Sequence, residues 1–185
     1  MTGEAPLPIA TIGHSNRSLE EFLELLQQHG IEQVLDVRKL PGSNKYPQFN
    51  ADTLSEALRE QGITLVRKEA LTGRRPVSKV IPFEVNAWWQ VRSFHNYADH
   101  ALSEDFRQAL AELQELGSER TTALMCSEAV WWRCHRRIIT DHLLAHDVKV
   151  HHILGHASLK PAELSEGAVV GPDLQVSYPA TEKKP

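Results

Sequence analysis

Apolar and polar residues follow two different spacings along the first half of the chain. The segment 8–14 (PIATIGH) is a short apolar run that ends at a Gly-His pair, which is typical of a buried strand. From Leu19 to Leu26, apolar residues recur at helical spacing. Ser18 is the predicted N-cap of that helix, and Glu21, three residues later, would complete a capping box. The pattern predicts a buried strand followed by an amphipathic helix.

The same two spacings recur to about residue 155. We predict four further buried strands, at 31–38, 63–68, 121–126 and 148–154, and further helices at 51–62, 103–117 and 133–146. This alternation favours an α/β fold of three layers, in which a mainly parallel sheet of about five strands has helices on both faces. The segment 70–96 has no clear periodicity, and a segment of this kind is usually functional or mobile.

Length and composition narrow the class of protein. A chain of 185 residues fits one domain over 1–185, with a polar tail from about residue 178. The net charge of -4 gives no overall attraction to nucleic acid or to a membrane. We find neither an apolar run that spans a bilayer nor a signal peptide, so we expect no membrane partner. Two cysteines exclude a disulfide-rich framework, and we expect a cytoplasmic protein with reduced thiols. A homo-oligomer remains an open alternative.

Chemically capable residues stand at the ends of the predicted strands. The segments there are GHS at 13–15, DVR at 36–38, RK at 67–68 and CSE at 126–128. Open parallel sheets bind ligands outside the carboxyl ends of their strands. We therefore expect His14, Asp36 and Arg38 to converge with the segment 126–137 at one edge of the sheet.

Cys126 and Cys134 are the candidate nucleophiles or redox thiols. Cys134 is predicted near a helix start and is flanked by Arg133, His135 and Arg136. Helix N-termini and neighbouring cations both lower the pKa of a thiol, so Cys134 is expected to be partly thiolate at neutral pH. The alternative for both cysteines is a small buried apolar residue.

Asp36, Glu128 and His135 are the candidate groups for exchanging protons with a substrate. For Asp36, the alternative is an ion pair with Arg38 or Arg136. For Glu128, it is a cap for the following helix.

Zinc is an alternative that we do not favour. A zinc site needs three or four ligands around one point, and the candidates are Cys126, Cys134, His135 and His14. The spacing C-x7-C is not a common zinc spacing, and no CxxC pair is present. The i, i+4 pair His142 and His146 is interpreted as part of a solvated helix face. We predict no metal ligand, and the identity of any cofactor stays unknown.

One stretch of this acidic chain is basic. Between residues 67 and 92 the anions are Glu69 and Glu84, and the cations are Arg67, Lys68, Arg74, Arg75, Lys79 and Arg92. Trp88 and Trp89 lie within it. Cations interleaved with aromatic rings suit a nucleotide or single-stranded nucleic acid, which favours an anionic ligand here. The alternative is a solvated loop with tryptophans in the core.

Five blocks of the sequence resemble a known family. In order, they are TIGHSNRSLEEF, DVRKLPGS, HNYADH, CSEAVWWRCHRRII and VHHILG. They resemble the bacterial and archaeal family called domain of unknown function 488, over residues 11 to about 177, and the paired C-S/A-E…C-H-R block is the most specific. The resemblance implies a compact α/β domain without an established reaction. It matches His14, Ser15, Asp36, Arg38, Pro41, Tyr97, Cys126, Glu128, Cys134, His135 and Arg136. The Lys39–Leu40 pair departs from the smaller or β-branched residue expected after DVR.

The lead interpretation is an enzyme with a thiol- and arginine-lined pocket at the carboxyl ends of the strands. It would be a cysteine-dependent hydrolase or transferase that acts on a phosphate-bearing substrate, such as a nucleotide or nucleic acid. The expected catalytic residues are Cys126, Glu128, Cys134, His135 and Asp36. The expected substrate-binding residues are His14, Ser15, Arg38, Tyr97, Arg136, Arg74 and Arg75. The second interpretation is a non-catalytic module that binds nucleic acid or senses redox state or metal, and a steep salt dependence would indicate nucleic acid.

Overall fold

A computed structural model describes residues 7–42 and 44–181 and contains a central sheet of six strands. The strands are β1 (Ile9–Gly13), β2 (Gln33–Asp36), β3 (Thr64–Arg67), β4 (Thr122–Cys126), β5 (Val150–Gly155) and β6 (Ser158–Pro161). Their order is β3-β2-β4-β1-β5-β6. All neighbours are parallel except β5 and β6, which are antiparallel. Two short strands, β7 (Val169–Val170) and β8 (Val176–Ser177), form a separate antiparallel pair.

Helices cover both faces of this sheet. They are α1 (Leu19–Gln28), α2 (Ala51–Glu60), α3 (Arg92–His100), α4 (Glu104–Glu119) and α5 (Arg136–Ala145). Helices α1 and α2 pack with Ile12, Val34 and Met125 in one buried cluster. Helices α3, α4 and α5 pack with Ile9 and Leu124 in another. Because successive strand residues point to opposite faces, neighbouring positions join different clusters. The predicted three-layer α/β fold with a mainly parallel sheet is confirmed.

Periodicity did not predict β6, α3 or the two-residue strands β7 and β8, and the first two of these have unusual residue patterns. Every residue of β6, which lies at the edge of the sheet, is exposed, so this strand has no alternation of buried and exposed residues. Helix α3 buries polar side chains, among them Asn96 and Asp99. Asp99 accepts a hydrogen bond from the amide of buried Asn86 at 2.7 Å. A helix that buries paired polar groups lacks the apolar stripe that sequence patterns detect.

The N-terminus of α1 has the predicted N-cap but not the full capping box. The Ser18 hydroxyl accepts from the Glu21 N–H at 3.0 Å, as an N-cap should. The Glu21 carboxylate instead accepts from Arg17 at 3.0 Å. The predicted N-cap is therefore correct, whereas the return bond of a capping box is replaced by this ion pair.

The packed chain continues past β8 to Tyr178. This side chain is fully buried, and its hydroxyl donates to Asp141 of α5 at 2.7 Å. Its N–H donates to the side chain of Asn86 at 3.0 Å. The polar tail therefore begins after this residue, and positions 182–185 of the predicted tail lie outside the described residues. Among the described helices, none has the length and apolar character needed to cross a membrane.

Candidate active site

A cavity of about 510 Å³ opens where β2 and β4 end and α5 begins. We call it the thiol cavity. Its sulfur-bearing wall comes from Cys126 at the end of β4 and Cys134 before α5. The remaining lining residues are Arg38, Lys39, Leu40, Gly73, Arg74, Val91, Ser93, Phe94, Tyr97, Ser127, Glu128, Arg133 and His135. This is the edge of the sheet at which open parallel sheets bind ligands.

A close backbone approach shapes the loop after β4. A Cβ atom at Gly13 would lie 1.7 Å from the carbonyl oxygen of Glu128, so only glycine fits there. The same carbonyl accepts from the Arg136 guanidinium at 2.7 Å and lies 3.6 Å from the Cys126 sulfur. The end of β1 thus allows this loop to lie beside the two thiols.

The two cysteine sulfurs are neighbours. Both thiols are free, and Sγ of Cys126 lies 2.8 Å from Sγ of Cys134, compared with about 2.05 Å in a disulfide. The backbone N–H of Arg136, at the first position of α5, points to Sγ of Cys134 at 3.4 Å. His135 Nδ1 lies 3.6 Å from the same sulfur. Cys134 therefore has three donor or acceptor groups around its sulfur.

This environment shifts the pKa values of the two thiols in opposite directions. Burial raises the pKa of Cys134, but the Cys126 thiol, His135 and the Arg136 guanidinium together hold that pKa well below its ordinary value. Burial and the adjacent Cys134 raise the pKa of Cys126 well above its ordinary value. Of the two thiols, Cys134 is therefore the one whose surroundings favour the thiolate, with Cys126 placed to donate its proton in a hydrogen bond to that sulfur. The expectation of a low Cys134 pKa agrees with this geometry.

The His135 ring is oriented by its surroundings. Its Nε2 donates to the carbonyl oxygen of Val37 at 2.9 Å, which leaves Nδ1 as the acceptor in the neutral ring. The ring packs against Tyr97 with centroids 4.8 Å apart. A Cβ atom at Gly73 would lie 2.8 Å from Nδ1, so glycine makes room for the ring. His135 can therefore accept the Cys134 proton.

Arg136 lies beneath the thiols and does not line the cavity. Only 1% of the residue is exposed, and it donates to the Thr11 hydroxyl at 3.2 Å as well as to the Glu128 carbonyl. Although burial lowers its pKa, the interactions with the Cys126 and Cys134 sulfurs raise that pKa above its ordinary value. This arrangement makes Arg136 a fixed counter-charge for the thiolate, in contrast to its predicted contact with substrate.

Asp36 and Arg38 form a buried ion pair with two hydrogen bonds. Arg38 Nε and Nη2 each donate to an Asp36 oxygen at 2.9 Å. Arg38 also donates to the carbonyl of Phe49 at 2.7 Å and lies 3.3 Å from His14 Nε2. Both carboxylate oxygens of Asp36 are therefore occupied, which is the ion-pair alternative and which leaves Asp36 off the cavity wall. Asp36 positions Arg38, and Arg38 lines the cavity.

Three other predicted residues lie outside the lining. His14 stacks on Phe49 with centroids 4.3 Å apart, and its Nδ1 donates to Ser15 O at 2.9 Å. Burial lowers the His14 pKa. The Ser15 hydroxyl contacts Asn16 at 3.5 Å. Arg75 donates to the carbonyl oxygens of Thr72 and Glu69. Hence the structure brings seven of the predicted residues to the cavity: Arg38, Arg74, Tyr97, Cys126, Glu128, Cys134 and His135.

The role of each remaining lining residue depends on its partners. The Tyr97 hydroxyl donates to the carbonyl of Leu71 at 2.7 Å. Glu128 is exposed, and the N-cap position of α5 belongs to His135, so Glu128 does not cap that helix. Lys39 lines the cavity and also pairs with Glu69 at 3.3 Å in an exposed ion pair.

Arg74 and Arg133 are the unpaired cations of the cavity. Within residues 7–42 and 44–181, neither guanidinium has a hydrogen-bonding or ionic partner, and both line the cavity. The sequence pattern identifies Arg133 only as a cation next to Cys134 that lowers its pKa, and not as a binding residue. Its position in CSEAVWWRCHRR was the available signal, because a loop between a strand end and a helix start faces the ligand edge.

The histidines do not form a metal centre in the part of the chain that is described. There, no group of three or more His, Cys, Asp or Glu residues lies close enough together to hold a metal ion. His142 is buried and packs on Phe106, with ring centroids 5.1 Å apart. Interpreting its helix face as solvated was therefore wrong for His142.

The chain matches a family described as "Domain of unknown function DUF488" over residues 18–143. The chain belongs to this family. The matched segment contains both cysteines and α5 up to Leu143, and it ends before the block VHHILG at 150–155. The suspected family assignment is thus confirmed for a shorter part of the chain than 11–177. No curated protein and no solved structure matches the chain.

Proposed function

We propose that this DUF488 protein is a cysteine-dependent hydrolase or transferase that acts on a phosphate-bearing substrate in the thiol cavity. One observation carries the proposal. The Cys134 sulfur, whose surroundings favour the thiolate, shares a cavity with the unpaired cations Arg74 and Arg133. A nucleophile and an anion-binding group in one cavity are the two components that such a reaction requires.

The surroundings of Cys134 supply the proton transfers. His135 Nδ1, at 3.6 Å, accepts the thiol proton, and the Arg136 N–H and guanidinium offset the charge that remains on sulfur. The thiolate attacks the electrophilic atom of the substrate, forms a bond to it and expels the leaving group. The proton held by His135 passes to the leaving group, and the Glu128 carboxylate, exposed at the cavity wall, is available to accept the proton of the water or other acceptor that attacks next. Transfer of the bound group to water or another acceptor then restores the thiolate.

The cations that line the cavity support a substrate that carries phosphate. The whole chain carries a net charge of -4, so anions are attracted only where positive charge is concentrated. Arg74 and Arg133 have no internal partner among the described residues, whereas Arg38 is fixed by Asp36. A planar guanidinium pairs with phosphate through two parallel hydrogen bonds. A phosphate group bound by these arginines would therefore lie in the cavity that contains Cys134.

The test uses protection of Cys134 from iodoacetamide by inorganic phosphate, followed by peptide mapping. We expect phosphate to slow labelling of Cys134, and we expect Arg74→Gln with Arg133→Gln to raise the half-protecting concentration about tenfold or more. Arg92→Gln removes an exposed cation outside the cavity and is the matched control. Turnover of a panel of phosphate monoesters should disappear in Cys134→Ser. Absence of both protection and turnover would overturn the proposal.

A redox function is the second candidate, and the 2.8 Å between the two sulfurs favours it. Reaction with hydrogen peroxide would join the two sulfurs, release both thiol protons and reduce the peroxide to two waters. Mass spectrometry after mild peroxide treatment would detect the loss of two hydrogens. If that disulfide forms and phosphate gives no protection of Cys134, the redox function is favoured over the enzyme.

A further inference from the structure

An aromatic groove of about 760 Å³ adjoins the thiol cavity. The two share Val91, Phe94 and Arg133 as lining residues, so a single ligand can extend from one into the other. The other residues of the aromatic groove are Ala87, Trp88, Trp89, Gln90, Trp132, Arg137, Ala180 and Thr181. The mechanism proposed for the thiol cavity uses none of these side chains except Arg133.

One side of the aromatic groove is a preformed set of rings. Trp89 stacks on Phe94 with centroids 5.0 Å apart and planes 25° apart. Trp88 meets Trp89 edge to face, with centroids 4.8 Å apart. Arg137 lies over the Trp89 ring at 5.0 Å and is held by a hydrogen bond to the Ser165 hydroxyl at 2.9 Å. These rings are held by contacts within the chain, so binding would not have to order them.

Trp132 differs from these rings because it is exposed. Its exposed fraction is 46%, and it meets Trp131 edge to face at 5.5 Å, an arrangement that leaves ring surface uncovered. The next residue along the chain is Arg133, which belongs to both the groove and the cavity. A stacking surface thus lies directly beside an anion-binding group.

This order of groups matches the chemistry of a nucleotide. A base is a flat ring system that stacks on tryptophan and on arginine, and its phosphate is an anion held a short distance away by the sugar. The exposed Gln90 side chain at the groove can donate to and accept from the edge of a base. The volumes of the cavity and the groove are both in the range of small-ligand sites.

We propose that the aromatic groove binds the base of a mononucleotide whose phosphate lies in the thiol cavity beside Cys134. This inference rests on the proposed function and specifies its substrate class. Stacking on Trp132 and contact with Arg133 would then hold the two ends of one ligand.

The experiment compares three probes, adenosine monophosphate, adenosine and inorganic phosphate, by the concentration that half-protects Cys134 from iodoacetamide. We expect the nucleotide to protect at a concentration about tenfold or more below that of inorganic phosphate, since one stacked base contributes roughly a factor of ten or more. Trp132→Ala should remove most of this advantage and leave protection by inorganic phosphate unchanged. Trp132→Phe should retain most of it.

Phe83→Ala is the matched control, because Phe83 is an exposed ring outside the aromatic groove. It should bind the nucleotide as the wild type does. Urea unfolding of each variant checks that it is folded, and quenching of tryptophan fluorescence by the nucleotide gives a second readout.

The outcomes separate this inference from the proposed function. If inorganic phosphate protects Cys134 and the nucleotide is no better, the base site is overturned and the proposed function stands. The base site is also overturned if the advantage of the nucleotide persists in Trp132→Ala, or if only a longer single-stranded oligonucleotide protects. If neither phosphate nor nucleotide protects Cys134, the base site is overturned, and if phosphate monoesters are not turned over either, the proposed function fails with it.

Discussion

Two buried imidazoles should make this protein lose stability on mild acidification. His142 and His152 are 2% and 1% exposed. Burial, with a smaller contribution from neighbouring positive groups, lowers the pKa of each from 6.5 to about 3. Between those two pKa values the unfolded chain binds a proton at each histidine that the folded protein does not bind. Stability is therefore complete above pH 6.5 and falls as the pH decreases toward 3.

The magnitude follows from the pKa difference. At pH 5, about 1.5 units below the unfolded pKa, each histidine costs roughly 2 kcal/mol at 1.36 kcal/mol per unit, and the two together cost roughly 4 kcal/mol. Total stabilities of folded domains are about 5–15 kcal/mol, so this loss is measurable. Asp141, whose pKa burial raises, acts in the opposite direction, and a comparison of variants cancels its contribution.

The assay is urea unfolding at pH 7.5 and pH 5, followed by tryptophan fluorescence. His142→Leu removes one titrating group from a site where Nε2 has no hydrogen-bond partner among the described residues. The loss of unfolding free energy between the two pH values should then shrink by roughly 2 kcal/mol. His156→Gln, at an exposed position, should leave the wild-type loss unchanged. An undiminished loss in His142→Leu would refute the reasoning.

Two substitutions test how the site is built. Asp36→Asn should destabilise the protein by about 3–5 kcal/mol in urea unfolding, because it leaves the Arg38 charge buried without its partner. Glu69→Gln, which breaks the exposed pair with Lys39, should cost less than about 1 kcal/mol, and equal losses would contradict this account. Gly13→Ala should cost about 1–3 kcal/mol and disturb Cys134 labelling, because its Cβ would collide with the Glu128 carbonyl. Gly42→Ala, with the nearest atom 4.0 Å away, should do neither, and similar losses in both would count against the close approach.

The layer arrangement was predictable because it depends on periodicity. Apolar spacing predicted β1 to β5 and the helices α1, α2, α4 and α5, and the rule for parallel sheets predicted that Arg38, Cys126 and Cys134 would meet at one edge. The segment 70–96 had no such periodicity, and Gly73, Arg74 and Phe94 of that segment do line the thiol cavity.

The direction of individual side chains was not predictable from the same rules. Arg133 and Arg136 are three residues apart and chemically identical, yet the first lines the cavity and the second lies beneath the thiols. Their difference follows from the short turn at Trp131–Arg133 and the start of α5 at Arg136. Asp36 and His14 likewise lie at the predicted edge, but neither lines the cavity. Asp36 is paired with Arg38, and the His14 ring stacks on Phe49. The Asp36–Arg38 pair was the ion-pair alternative read from the sequence, whereas Phe49 is distant from His14 along the chain, so only the folded chain reveals that contact.

The identity of the reactive sulfur is the central claim, and the pH dependence of alkylation tests it most directly. The rate of Cys134 modification by iodoacetamide should be measured from pH 5 to pH 10, with Cys126→Ala as a second sample and peptide mapping to separate the two thiols. Because Cys126, His135 and Arg136 stabilise the thiolate, we predict a rate that reaches its plateau well below pH 9 in the wild type. In Cys126→Ala, which lacks the donor, the plateau should move to higher pH. A wild-type rate that still rises through pH 9, as for an ordinary thiol, would contradict the account.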